Sequence, residues 1–323
     1  MNNILYMVIP CYNEEKVLKE TNKRLLNKYE ELISKKLISK KSKIMYVNDG
    51  SKDNTWTLIE ELEKNSEYVT GISLSRNRGH QNALVAGLLT AKKNADIVIS
   101  MDADLQDDIN AIDKMIDEYL NNNCDIVYGV RSDRKKDTLF KRFTACGFYT
   151  FMNLLGVEIV YNHADFRLTS KKVLDNFENF KEVNLFLRGI FPLMGFKSNI
   201  VYYERAERYA GNSKYPLNKM LSFAWEGITS FSVKPLRFIC FLGIIILFIS
   251  IIFMISSFID HIKGNVVDSL NYLIISIWFI GGLEMLSIGV IGEYIGKIYT
   301  ETKRRPRYII EKNLLEKDNE KNN

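Results

Sequence analysis

The sequence predicts an α/β domain, with a mostly parallel sheet flanked by helices, followed by a hairpin of two transmembrane helices. The α/β domain is predicted by short apolar runs that alternate with helical patterns along the first 130 residues. The hairpin is predicted by two long apolar runs that follow residue 237. The chain has 323 residues, and its mean hydropathy of −0.12 resembles that of a soluble protein only because the average hides this division.

Five short apolar runs have the length and composition of buried strands. They are Ile4–Ile9, Lys43–Val47, Tyr68–Leu74, Asp96–Met101 and Asp125–Val130. Helical patterns lie between them, at Glu14–Leu32, Thr55–Leu62, Gln81–Ala91 and Ile109–Leu120. Such alternation favours a mostly parallel sheet with helices on both faces, in which ligands bind at the carboxyl ends of the strands. After Val130 the pattern becomes irregular, and no further strand is assigned.

Two segments towards the C-terminus are predicted to span a membrane. Residues 238–259 contain no charged side chain and, at about 1.5 Å per residue, would cross a hydrocarbon core of roughly 30 Å; the alternative is a buried core helix. Residues 270–292 contain one charge, Glu284, which we expect to face protein or water. Basic residues precede the pair at Lys234 and Arg237 and follow it between Lys297 and Arg307. By the positive-inside rule, both termini are then cytoplasmic.

These patterns divide the chain into four parts. Residues 1–215 form a cytoplasmic α/β domain, and residues 216–233 a juxtamembrane amphipathic helix, for which an ordinary core helix is the alternative. Residues 234–300 contain the two transmembrane helices, and residues 301–323 a charged cytoplasmic tail that we expect to be loose. The expected location is the cell membrane, as a multi-pass protein, and self-association is left open.

Charge and residue usage exclude several other classes of protein. The 44 basic and 39 acidic residues give a net charge of +5, which is too small to predict a nucleic-acid partner. The four cysteines are far apart and there are three histidines, so neither a zinc site nor a histidine-rich metal site is expected. The chain contains no dinucleotide-binding fingerprint and no P-loop.

The motif with the clearest chemistry follows the fourth predicted strand. Asp102 and Asp104 lie one residue apart just past the strand end, where two carboxylates can share a hard divalent cation. A cation held in this way keeps room for substrate phosphates, as a nucleoside diphosphate donor requires. Taken alone, the pair is also compatible with a solvated turn that caps the next helix.

Motifs at the other strand ends resemble glycosyltransferase family 2, whose members have a GT-A fold. The matching segments follow predicted strands in the order and spacing of that family, at Val8–Glu15, Val47–Thr55, Leu74–Asn77 and Met101–Gln106. The resemblance continues through Asp165–Leu168, Arg205–Arg208, Gly211–Tyr215 and both apolar runs, so it covers nearly the whole chain. It is strongest to polyprenyl-phosphate glycosyltransferases, such as bactoprenol glucosyltransferases and dolichol-phosphate mannose synthases.

The resemblance implies a role for residues at each strand end. Asp102 and Asp104 would hold Mg²⁺ or Mn²⁺, and Gln106 would lie near the metal or the acceptor phosphate. Asp165 would be a catalytic carboxylate that removes a proton or orients the acceptor or a cationic residue, and Asp104 and Gln106 complete the implied catalytic set. The residues implied to bind the nucleotide sugar are Pro10, Tyr12, Glu14, Val47, Asp49, Arg76, Asp102, Ala103, Arg131, Arg208 and Lys214.

Some of these roles can be stated more closely. Glu14 would accept from ribose hydroxyls and Asp49 would bond the edge of the base, although Asn48 stands where family members often have a second acid. The cations at positions 131, 208 and 214 would clamp phosphate groups, or else be solvated surface charges. His80 is expected to be structural.

The implied reaction is inverting, metal-dependent transfer of a sugar to undecaprenyl or another polyprenyl phosphate at the cytoplasmic face. UDP-glucose is the first choice of donor by resemblance, ahead of UDP-N-acetylglucosamine and GDP-mannose. The alternatives are transfer to another membrane-associated acceptor, such as a glycan or diacylglycerol, and a non-catalytic membrane scaffold. A processive polysaccharide synthase is not favoured because the expected Q-x-x-R-W motif is absent from the sequence.

Overall fold

The computed structural model describes residues 3–132, 163–183, 186–204, 234–263 and 270–315. These residues fall into two compact units. The first contains the described residues up to 204 together with 305–315, and the second contains 234–263 and 270–304.

The first unit is built on a mixed sheet of eight strands in the order β7-β5-β6-β4-β1-β2-β3-β8. The strands are β1 Leu5–Cys11, β2 Lys43–Asn48, β3 Val69–Leu74, β4 Ile97–Ser100, β5 Ile126–Arg131, β6 His163–Ser170, β7 Ser198–Tyr203 and β8 Ile310–Asn313. The first five lie within two residues of the predicted positions, because each is an apolar run buried on both faces of the sheet. The predicted α/β class is confirmed.

Helices connect the strands and cover the sheet. They are α1 Leu18–Ser34, α2 Thr55–Asn65, α3 His80–Ala91, α4 Ala111–Asn122, α5 Lys171–Phe177 and α6 Leu187–Leu193. The first four overlap the predicted helical patterns, although α1 begins four residues later than predicted. Helix α1 buries Leu18, Leu25, Tyr29 and Leu32, which recur at helical spacing, in the core beneath β1 and β2. Gly87 brings α3 close to the sheet, because a Cβ there would lie 2.3 Å from the side chain of Val8.

Three strands were not predicted from the sequence. Strand β6 pairs antiparallel with both β4 and β5, while β7 pairs parallel with β5. Four of the seven strand pairings are parallel, so the sheet is more mixed than predicted.

The C-terminal tail differs from its prediction. Residues 310–313 are not loose but form β8, which pairs antiparallel with β3. Arg307 donates to the carbonyl of Phe180 at 3.1 Å, and Leu314 and Leu315 are buried. Residues 310–315 are ordered because they pair with the edge of β3 and bury apolar side chains, neither of which the charged composition of the tail reveals.

The second unit contains helices α7 Lys234–Ile262 and α8 Leu270–Thr302. The two predicted spans lie within these helices. Among the described residues one segment, Phe279–Thr302, is long and apolar enough to cross a membrane, and Leu236–Ile246 is a shorter apolar segment. Glu284 is exposed on α8, and the hairpin arrangement stays a prediction. The predicted helix at 216–233 lies outside the described residues.

Candidate active site

The parallel strands β1, β2, β3 and β4 bring their carboxyl ends to one edge of the sheet. Their register aligns Cys11 with Asn48 and Asn48 with Ser73, so the loops that follow begin side by side. Asn48 donates from its side chain to the hydroxyl of Ser73 at 2.9 Å. The residue that departs from the family pattern therefore ties two strand ends together.

The loops after β1 and β2 are joined by hydrogen bonds. The backbone N–H of Asn13 donates to Ser51 Oγ at 3.0 Å, and Asn13 Oδ1 accepts from the backbone of Lys52 at 2.9 Å. Asn13 has a positive φ of 55°, a conformation that asparagine tolerates better than most residues. The backbone of Glu14 donates to Thr55 Oγ1 at 2.9 Å, which leaves its half-buried side chain at this edge.

Asp49 and Gly50 fix the loop between β3 and α3. The carboxylate of Asp49 accepts from the backbone N–H groups of Arg78 and Gly79 at 2.7 and 3.0 Å. Asp49 is buried, and this burial raises the pKa of its carboxyl group. Gly50 has φ +60°, and a Cβ there would lie 2.5 Å from the backbone of Arg76. The structure gives Asp49 a role in supporting this loop, and its contact with a base stays a prediction.

The segment after β4 presents two carboxylates. The carbonyl of Ala103 accepts from Thr21 Oγ1 of α1 at 2.8 Å, which anchors the residue between them. Leu105 is buried and has φ +58°, so the chain turns sharply here. Within this turn Asp104 Oδ1 accepts from the backbone N–H of Gln106 at 3.2 Å. The predicted metal-binding carboxylates, Asp102 and Asp104, thus lie on a turn that is held in place by a hydrogen bond from α1.

Strand β6 brings Asp165 to Asp102. In the antiparallel pairing of β4 with β6, Ser100 lies opposite Arg167, and continuing that register by two residues places Asp165 opposite Asp102. The hydroxyl of Ser100 donates to the backbone carbonyl of Asp165 at 2.5 Å, which fixes this alignment. Two residues implied by the resemblance, 63 positions apart in the chain, therefore meet at the site.

Asp165 is held by two cationic side chains. Arg188 of α6 approaches it with Nε 3.3 Å from Oδ1 and Nη2 3.4 Å from Oδ2. His80, the first residue of α3, places Nε2 3.3 Å from Asp165 Oδ2 and 3.7 Å from Asp102 Oδ1. His80 was expected to be structural and Arg188 was not singled out, yet both lie at the site.

Electrostatics in this cluster shift the pKa of three groups. Burial opposes protonation of His80, but its hydrogen bond to Asp165 and the charges of Asp102 and Asp165 raise the imidazole pKa to about 9. Burial also opposes ionisation of Asp165, yet Arg188 and His80 hold the pKa of that carboxyl well below its usual range. Restricted access to water raises the pKa of Asp102, and the nearby carboxylates Asp165 and Asp104 add to that rise.

A second polar cluster adjoins the turn. Arg131 is the last residue of β5, with Nε 3.3 Å from the hydroxyl of Tyr203 and Nη2 3.7 Å from Asp107 Oδ1. The hydroxyl of Tyr203 donates to Asp107 at 2.5 Å. Burial, together with the charge of Asp102, raises the pKa of Asp107 to about 6. Arg131 is thus held in place by Tyr203 and Asp107, neither of which was predicted from the sequence.

The remaining predicted residues occupy different environments. Pro10, Val47 and Ala103 are buried, Tyr12 is half-buried and Arg76 is exposed. Arg208 and Lys214 lie outside the described residues. Within the described ranges, no group of three or more histidine, cysteine or acidic side chains is arranged to hold a metal ion. The position of His80, directly after the β3 loop, was a sequence signal for its place at the site; Arg188 carried no such signal.

The chain is similar to known proteins over nearly its full length. Residues 6–177 match the model of the family described as Glycosyl transferase family 2. The Bacillus subtilis glycosyltransferase YkoT is 54% identical over 96% of this chain and 92% of its own length. The prophage bactoprenol glucosyl transferase homolog of Escherichia coli is 41% identical over 95% of this chain and 98% of its own length. The SfII prophage-derived bactoprenol glucosyl transferase of Shigella flexneri is 40% identical over 95% of this chain and 97% of its own length.

Proposed function

This chain belongs to glycosyl transferase family 2 and has its GT-A fold, and on that premise we propose that it transfers glucose from UDP-glucose to a polyprenyl phosphate. The observation that carries the proposal is the meeting of Asp102, Asp104 and Asp165 at the edge where the loops of β1, β2 and β3 converge. The names of the similar bactoprenol glucosyl transferases support the acceptor and the sugar.

A divalent cation, Mg²⁺ or Mn²⁺, fits the chemistry of this edge. Asp102 and Asp104 offer hard oxygen ligands, and the charges of the neighbouring carboxylates Asp165 and Asp104 add to the effect of burial in raising the pKa of Asp102. A cation at this position would relieve that repulsion and neutralise charge on the diphosphate leaving group. Two protein carboxylates leave coordination positions for the oxygens of a diphosphate.

The remaining loops suit the nucleoside part of the donor. Tyr12 and Glu14 are half-buried beside the joined loops of β1 and β2, where an aromatic ring and a carboxylate can contact a base and a ribose. Arg76 is exposed after β3, Arg131 is half-buried at the end of β5, and either cation can approach a phosphate group. Glucose is proposed from the names of the similar bactoprenol glucosyl transferases, and uridine from the resemblance of the motifs to glycosyltransferase family 2.

The proposed reaction is a single displacement with inversion at the anomeric carbon. An oxygen of the acceptor phosphate attacks C1 of the sugar, the bond from C1 to the diphosphate oxygen breaks, and UDP leaves with the electron pair. A phosphomonoester has a second pKa near 6 and is largely dianionic at neutral pH, so the acceptor requires no general base. The protein must instead bring two anionic substrates together, which the cationic side chains around Asp165 favour.

The proposed setting is the cytoplasmic face of the cell membrane. The apolar helices α7 and α8 would hold the protein in the bilayer, with the basic residues that flank them on the cytoplasmic side. In this proposed topology both termini are cytoplasmic. Self-association stays open, and no nucleic-acid partner is proposed.

The experiment that tests the function is a donor panel. Purified full-length protein in detergent is mixed with Mn²⁺, undecaprenyl phosphate and one of several nucleotide sugars, and the organic extract is analysed by mass spectrometry. We expect a glycosylated lipid phosphate from UDP-glucose, and none when Asp102 is replaced by alanine. Absence of a lipid product from every donor would refute the proposal.

A further inference from the structure

The carboxylate of Asp165 is engaged on both oxygens. Arg188 contacts Oδ1 and Oδ2 at 3.3 and 3.4 Å, and His80 contacts Oδ2 at 3.3 Å. The Asp165 side chain is 15% exposed, so these contacts replace most of its water. A carboxylate that accepts from an arginine at two points is stabilised in its ionised form and has little tendency to take a proton.

A third cation lies beneath the same carboxylate. Arg167 is two residues along β6 on the same face of the sheet, is fully buried, and stacks its guanidinium 3.8 Å from the ring centroid of Phe191. No side chain or backbone group in the described ranges accepts a hydrogen bond from its three nitrogens. Its charge adds to the cationic surroundings of Asp165, which argues further against a role for Asp165 as proton acceptor.

The position of Arg188 is fixed from two sides. It is the second residue of α6, whose first residue, Leu187, donates from its backbone to Gln81 Oε1 of α3 at 3.0 Å. Gln81 follows His80, so the starts of α3 and α6 are tied together beside Asp165. The Arg188 side chain remains 33% exposed beside Asp165, so a ligand at this edge of the sheet can reach part of its guanidinium.

Three carboxylates at this site would repel an incoming phosphate dianion. Asp102 and Asp104 are compensated by the metal in the proposed mechanism, whereas Asp165 is compensated by Arg188 and His80. Nε2 of His80 points between Asp102 and Asp165, while Arg188 approaches Asp165 from α6 and keeps an exposed face. Arginine binds phosphate with paired N–H donors, which suits a group that must be held during displacement.

We propose that Arg188 receives the phosphate group of the acceptor, and that Asp165 is a positioning residue that orients this guanidinium rather than a base. His80 then separates the acceptor-side carboxylate Asp165 from the metal-side carboxylate Asp102. This inference rests on the proposed function and assigns the acceptor side of the same site. It requires that loss of Arg188 weakens binding of the acceptor and spares binding of the donor nucleotide.

The test separates the two substrates kinetically. Full-length protein in detergent micelles is assayed with UDP-glucose, Mn²⁺ and farnesyl phosphate, and UDP affinity is measured separately by calorimetry with Mn²⁺ present. Arg188→Gln is expected to raise the KM for farnesyl phosphate by about tenfold or more and to change the Kd of UDP by less than about twofold. Arg188→Lys keeps the charge without the paired geometry and should give an intermediate KM.

A matched control and a double variant complete the design. Arg24→Gln removes an exposed arginine that pairs with Glu20 at 2.7 Å on α1, and it should leave both constants unchanged. Adding Asp165→Asn to Arg188→Gln removes the negative charge that has lost its arginine partner, and it should lower the acceptor KM again without a further fall in kcat. A general base at position 165 would instead make the double variant lose kcat well beyond the single variant.

The outcomes distinguish this inference from the function on which it rests. An unchanged acceptor KM in Arg188→Gln, a loss of UDP binding in that variant, or a further loss of kcat in the double variant would each overturn the assignment while the wild-type enzyme stays active. A wild-type protein that is inactive with every isoprenyl phosphate would overturn the proposed function and this inference together.

Discussion

Replacing Gly50 by alanine is expected to displace the loop that leads into helix α3. The added Cβ would lie 2.5 Å from the carbonyl carbon of Arg76 and from the nitrogen of Asn77, both backbone atoms, so the loop must move by about 1 Å to reach ordinary contact. The left-handed conformation at φ +60° costs an alanine about 1 kcal/mol, and overpacking adds about 1–3 kcal/mol. The expected loss of stability is therefore about 2–4 kcal/mol.

Gly195→Ala is the matched control for this change. Gly195 has a similar φ of +67°, but a Cβ added there would meet no atom of the described residues within 4 Å, so only the conformational cost of about 1 kcal/mol applies. Thermal unfolding in detergent should show a fall in Tm of about 3 °C for the control and two to four times that for Gly50→Ala. UDP affinity should fall for Gly50→Ala alone. Equal falls in Tm, with UDP affinity unchanged in both variants, would refute the close approach of the two loops.

Three further predictions concern the turn after β4 and the tail. Asp102→Asn should lower Mn²⁺-dependent turnover by roughly 100-fold or more, and saturating Mn²⁺ should not restore it, because a metal ligand is lost; full rescue would contradict the assignment. Burial raises the pKa of Asp107 to about 6 from an ordinary value near 4, so the unfolded chain ionises first and stability falls as pH rises from about 4 to 6. Asp107→Asn can still accept the hydrogen bond from Tyr203 but carries no charge. In the absence of metal, it should therefore raise Tm at pH 8 by the equivalent of about 1–3 kcal/mol and have little effect on Tm at pH 4. Equal effects on Tm at both pH values would contradict this. Leu314→Ala leaves a cavity at a buried position just after β8 and should lower the free energy of unfolding by about 2–5 kcal/mol, as measured by thermal unfolding. Ile309→Ala, at a half-exposed position, should lower it by less than about 1 kcal/mol. Similar losses of stability in both variants would show that residues 309–315 do not pack on the sheet.

The strands that could be predicted are those whose pattern is local. Strands β1 to β5 are apolar runs buried on both faces, and their composition alone distinguishes them. Strand β6 escapes this test because one of its two faces carries Asp165, Arg167 and Thr169, a composition typical of a surface segment, although Arg167 and Thr169 are buried. Strand β8 escapes it for another reason: a four-residue segment with two charges becomes a strand only because β3 offers an unpaired edge.

In the candidate site, too, only the residues with a local signal could be predicted from the sequence. Asp102 and Asp104 could be predicted as a neighbouring carboxylate pair from spacing, since both follow one strand, whereas their role as metal ligands comes from the resemblance and stays a prediction. The contact of Asp165 with Asp102 depends on the register of β4 against β6, and the contact with Arg188 depends on the docking of α6 on α3. Neither pairing has a counterpart in local sequence spacing, so the resemblance indicated Asp165 while the two cations that hold it emerged from the structure.

The claim that the acceptor is a phosphate is tested most directly by comparing two lipids that differ in that group alone. Full-length protein in detergent is incubated with labelled UDP-glucose and Mn²⁺, together with either undecaprenyl phosphate or undecaprenol, and organic-soluble label is counted. The account predicts label in the lipid only with undecaprenyl phosphate, because an ionised phosphate oxygen attacks without a base and Arg188 receives its charge. Equal transfer to undecaprenol, or no transfer to undecaprenyl phosphate, would contradict it.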